Sequence, residues 1–86
     1  MASVKKDFYL KDAKSVAQDL LGKLLLRDLN GKILSGIITE TEAYFGADDP
    51  ASRAYGGRIK QINKWMWEEG GTIFIYMVHA NWLFNV

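Results

Sequence analysis

An asparagine-glycine pair, Asn30-Gly31, sits between apolar runs in "LNGK". It is the dipeptide that a two-residue β-hairpin turn favours, because both central residues of that turn take a left-handed backbone. The pair is a strong signal that its flanking runs form a hairpin. Upstream, Asp12 is a plausible N-cap for "AKSVAQDLLGKLLL", in which Val16, Ala17, Leu20, Leu21, Leu24 and Leu25 recur at helical spacing. Gly22 is placed to end that helix, with Lys23 to Leu29 turning into a strand.

The hairpin leads into "GIITETEAYFG", Gly36 to Gly46, which has the composition of a strand with a glycine at each end. Side chains alternate faces along a strand, so Ile38, Glu40, Glu42 and Tyr44 would share one face. Glu40 and Glu42 there form either an ordinary solvated face or a pair of rigidly held carboxylates beside an aromatic ring. "GADDPASRAYGGR" follows as loop, and "IKQINKWMWEEGG" is a short helix or irregular. From Ala51 to Trp67 the charges are Arg53, Arg58, Lys60 and Lys64, with no acid among them and with Tyr55, Trp65 and Trp67 interleaved. That pattern fits a basic surface loop or a local phosphate-binding patch. "TIFIYMV" suits a buried strand, carrying Tyr76, and His79 follows just past it. Either residue has an ordinary structural reading, as a satisfied core tyrosine and a lone surface histidine.

Eighty-six residues make one small domain at most. A chain of that size buries about 60–65% of its unfolded surface, which leaves a marginal core. The net charge of +1 announces neither nucleic acid nor membrane. The absence of cysteine removes disulfide and thiolate-metal chemistry. No His/Asp/Glu cluster has metal spacing, and no phosphate-loop or dinucleotide fingerprint is present. The amino terminus has no apolar core for a secretory signal and no run reaches membrane-spanning length, so the chain reads as soluble and intracellular. The closing "NWLFNV" is apolar to the last residue, which suggests that more chain once followed.

Taken together, "ITETEAYFGADDPASRAYGGR", "GGTIFIYMV" and "NWLFNV" closely resemble the alkyladenine (3-methyladenine) DNA glycosylase family of base-excision repair. "VAQDLLGKLL" also resembles that family's first helix, so the resemblance covers nearly the whole chain, residues 1–86, as the amino-terminal half of a single glycosylase domain. It implies an α+β fold, with a curved, mostly antiparallel sheet and an amino-terminal helix. It implies monofunctional hydrolysis of the base-sugar bond of alkylated or deaminated purines, with no cofactor and no metal. The implied partner is double-stranded DNA containing damaged purines, bound by a monomer when complete, inside the cell and away from membranes. The other possibility kept open is a truncated, non-catalytic fragment with weak DNA binding or none.

By matching position, the resemblance implies that Glu42 activates the water, with Glu40 in support. Tyr44 and Tyr76 would be the two aromatic walls around the extruded base. Electron-rich rings favour a cationic, alkylated purine over a normal one by about 1–2 kcal/mol. Asn85 would crowd the exocyclic amine of guanine and exclude it. His79, with Asn81 as the other candidate, would be the wedge pushed into the minor groove. Arg58, Lys60 and Lys64 would hold phosphates. Arg53 stands where the family usually has a histidine against the base, and the chain is one residue shorter than the common pattern between Tyr76 and Asn85.

Overall fold

The computed structural model describes residues 3–86. The chain is a small α+β protein of one α-helix and two antiparallel two-stranded sheets, divided into two compact units.

The first unit is Asp12–Ala43. Helix α1, Ala13–Leu20, starts at Asp12, whose carboxylate accepts the Ser15 N–H at 3.0 Å and the Ser15 hydroxyl at 2.8 Å. This satisfies a backbone donor that the first helical turn leaves without a partner. The helix stops at Leu20 because Gly22 takes φ +82°, a left-handed conformation that other residues adopt at a cost. Leu24 and Leu25, which continue the helical spacing in the sequence, therefore open strand β1, Leu24–Leu29. Asn30 and Gly31 turn the chain with φ 54° and 85°, and β2, Lys32–Ile37, returns in register from Leu29 opposite Lys32 to Leu24 opposite Ile37. The Asp28 carboxylate accepts the Gly31 N–H at 3.0 Å and braces the turn.

β2 ends nine residues short of Gly46, and the expected strand through "ITETEAYF" does not form. Its cause is the loss of a partner. The last rungs join Ile38 N–H to the Lys23 carbonyl and Gly22 N–H to the Ile38 carbonyl, at 2.9 and 2.8 Å. Beyond them β1 has turned away at Gly22. The chain is drawn instead onto α1, where the Thr41 hydroxyl donates to the Ala17 carbonyl at 2.7 Å.

The second unit comprises the amino-terminal segment to Lys11 and Tyr44–Val86. A 3-10 helix at Lys6–Leu10 sets Tyr9 against Gly70 and Gly71. A Cβ at Gly70 would meet the Tyr9 carbonyl oxygen at 2.6 Å, so only glycine fits there. The loop after Tyr44 is a run of turns, with 3-10 helices at Gly46–Asp48 and Lys64–Trp67. Strands β3, Phe74–Val78, and β4, Asn81–Asn85, form the second hairpin, in register from Val78 opposite Asn81 to Phe74 opposite Asn85. One face carries Phe74, Tyr76, Leu83 and Asn85, buried or half-buried. The other carries Ile75, Met77, Trp82 and Phe84, all exposed, so β3 is half-buried rather than the fully buried strand expected of "TIFIYMV". Among the described residues no ladder joins the two hairpins, so the single curved sheet that the resemblance implies is replaced by two separate pairs.

Candidate functional site

The second unit assembles most of the candidate side chains on the β3–β4 hairpin and the loop before it. The loop is held by Asn63, which is 2% exposed. Its carbonyl oxygen accepts the Lys60 N–H at 2.6 Å, and its amide donates to the carbonyls of Arg53 and Arg58 at 2.8 and 3.2 Å. A buried amide is stable only with its hydrogen-bonding groups satisfied, and here backbone from three places in the loop satisfies it. Ser52 and Ala54 are buried on either side of Arg53, and the Ser52 hydroxyl accepts the Ala54 N–H at 3.0 Å. Asp49 fixes the start of the loop by accepting the N–H groups of Phe45 and Ala51, each at 3.0 Å.

The Arg53 guanidinium consequently lies over the ring of Tyr76, 4.8 Å from its centroid. Tyr76 is half-buried and meets Phe74 edge to face, with centroids 4.9 Å apart and planes at 79°. Asn85 sits opposite Phe74 on the same sheet face and donates its amide to the Phe74 carbonyl at 3.0 Å. Tyr76 and Asn85 thus both meet Phe74, which is 6% exposed, and Arg53 joins them through the Tyr76 ring. His79 is exposed in the turn between the strands, where it and Ala80 have φ 49° and 64°. Two left-handed residues in succession define a tight primed turn, unusual without glycine or asparagine. Asn81 supports it by donating to the His79 carbonyl at 3.2 Å.

Arg58 and Lys60 are exposed, and the Lys64 ammonium lies over the Trp65 ring at 4.6 Å. Tyr44 is half-buried at the start of the same unit. Glu42 belongs to the first unit, exposed one residue after the Thr41 tether to α1, and Glu40 is exposed one residue before it. The two glutamates therefore flank a tether to the helix and do not lie on a strand face. Among the described residues no group of three or more His, Asp or Glu is placed to hold a metal ion, and no helix is long and apolar enough to cross a membrane.

Asn63 is the residue that sequence reasoning missed. It lies in "QINKW" with nothing to mark it, since its partners are ten, five and three residues away and become partners only when the loop closes.

A family model described as methylpurine-DNA glycosylase matches residues 7–86. The chain belongs to the methylpurine-DNA glycosylase family. The resemblance carried by "ETEAY" and "AYGGR" is thereby established. Among curated relatives, a Clostridium perfringens protein named "Putative 3-methyladenine DNA glycosylase" is 46% identical over 75 residues, covering 87% of this chain and 37% of its own length. A protein of the same printed name from Clostridium botulinum strain Langeland is 44% identical over 82 residues, covering 94% of this chain and 40% of its own length. The chain thus spans about two fifths of the length of the methylpurine-DNA glycosylase relatives it matches.

Proposed function

We propose that this chain forms the lesion-handling part of a DNA glycosylase, in one glycosylase domain, acting on alkylated or deaminated purines in double-stranded DNA. The base-sugar bond is out of reach within a duplex, so the damaged nucleotide rotates out into the site. Tyr44 and Tyr76 receive the purine between their rings, Asn85 rejects the exocyclic amine of guanine, and His79 enters the minor groove from the tip of the β3–β4 turn. Arg58, Lys60 and Lys64 hold phosphates and fix the register on DNA.

Glu42 is the general base. It takes a proton from water as the water oxygen bonds to the sugar C1′. The C1′–N bond breaks and its electron pair leaves with the base: a cationic alkylated purine departs neutral, a deaminated one departs as its anion and takes up the proton lost by the water, and an abasic sugar remains. The carboxylate also faces positive charge developing on the sugar, which it stabilises. The protein works as a monomer, inside the cell, on DNA and not on a membrane.

The observation that carries this reading is the family match over residues 7–86, which takes in every residue given a role here. Single-turnover release of hypoxanthine or 3-methyladenine from a labelled duplex tests it. Glu42→Gln removes the proton acceptor but keeps the shape, so excision should fall by about 10²–10⁴-fold with lesion binding retained. Glu40→Gln should cost less than about tenfold. Equal losses at the two positions would mean that the base is not Glu42.

A second reading, in which these 86 residues alone bind DNA weakly and do not cleave it, is favoured by the exposed apolar strand faces. The same assay separates the two: lesion-dependent retention without released base supports the second.

A further inference from the structure

We propose that Arg53 is a specificity-determining residue that turns this site toward neutral purine lesions and against cationic, alkylated ones. The inference rests on the reading above that Tyr76 receives the base. An aromatic ring attracts cations through its electron-rich faces, and that attraction is what would favour an alkylated purine. Here a guanidinium already lies 4.8 Å from the centroid of the Tyr76 ring. A guanidinium is a delocalised cation. A cationic purine sharing the ring therefore meets a face whose attraction is partly used, and sits within about 8 Å of a like charge. A neutral purine meets neither penalty.

The loop fixes the backbone from which the charge reaches the ring. Asn63 donates to the Arg53 carbonyl at 2.8 Å, and the residues on both sides of Arg53 are buried. The Arg53 side chain itself is exposed, so solvent is open to it, and its place on the ring is a preference and not a confinement. A guanidinium is also a donor only. Deamination of adenine replaces an exocyclic amine, itself a donor, with a carbonyl acceptor. Donor-only chemistry beside the ring thus suits a deaminated purine twice, through charge and through hydrogen bonding.

Equilibrium binding to three duplexes, identical save for one undamaged adenine, one 3-methyladenine (cationic) or one hypoxanthine (neutral), tests the inference. Arg53→Gln removes the charge at similar length and leaves the backbone carbonyl that Asn63 holds. It should shift the affinity ratio toward 3-methyladenine by about tenfold. Arg53→Lys keeps a charge and should stay within about threefold of the parent ratio. A preference for damaged over undamaged duplex that survives with an unchanged ratio in Arg53→Gln overturns this inference alone, leaving Arg53 a backbone contact. A uniform loss of affinity for all three duplexes does the same. No preference for damage in the parent or the variant overturns the glycosylase reading and this inference with it.

Discussion

Asn63 does more to shape the basic loop than any charged residue in it. Its side chain collects a donor and two acceptors from Arg53, Arg58 and Lys60, so three of the four basic positions share one anchor or its neighbour. Asn63→Ala strands those backbone groups around a small hole, and the unfolding free energy should fall by about 2–4 kcal/mol. Asn63→Asp keeps the acceptor for Lys60 but offers the carbonyls no donor, and should cost as much. Denaturant titration of both variants checks this, and a loss under about 0.5 kcal/mol in Asn63→Ala would show that water replaces the amide freely. Nothing in the sequence announces the residue. A lone asparagine in a polar stretch reads as a solvated turn, and its importance lies in which carbonyls the folded loop delivers to it. Glu42 is the opposite case, singled out by its place in "ETEAY" while the strand expected around it does not form.

At the scale of elements, local signals were readable and long-range ones were not. Asp12 as cap, Gly22 as stop and Asn30-Gly31 as turn each act over three residues or fewer, and each stands where the sequence put it. The end of β2 is set by a partner strand that leaves, which no local pattern records. The β3–β4 turn escaped for another reason, since His79-Ala80 carries none of the residues that mark a primed turn. The cap of α1 has a consequence in acid. The Ser15 N–H, then the Ser15 hydroxyl, hold the Asp12 carboxyl below its ordinary value. A folded-state value below the unfolded one means that the cap stabilises fully above the ordinary aspartate range, and that this contribution disappears as pH falls through the lowered value. Helicity followed by circular dichroism should therefore drop on acidification below about pH 4. Asp12→Asn, a neutral cap, should flatten that limb. An identical acid limb in the variant would assign it to other carboxylates.

The whole chain has little interior. Among the described residues Ala54 and Phe74 are the buried hydrophobics, while leucines and isoleucines on both faces of the β1–β2 hairpin remain exposed. A two-stranded hairpin is marginal in water without something packed on its apolar face. The isolated 86 residues should accordingly melt broadly and at low temperature, or associate through Ile75, Met77, Trp82 and Phe84. Calorimetry with sedimentation decides it, and a sharp, cooperative transition of a monomer would refute the expectation. Curated relatives of this chain are about two and a half times as long. One feature of the exposed surface bears on how the protein can be watched. Trp65, Trp67 and Trp82 are 47%, 41% and 68% exposed. Their indoles already emit from a watery environment, so unfolding should barely shift the colour of the fluorescence. Bases stacking on them should dim it instead. The intrinsic light of this chain should therefore be a poor thermometer of its folding, and its dimming on addition of DNA would report the binding proposed above.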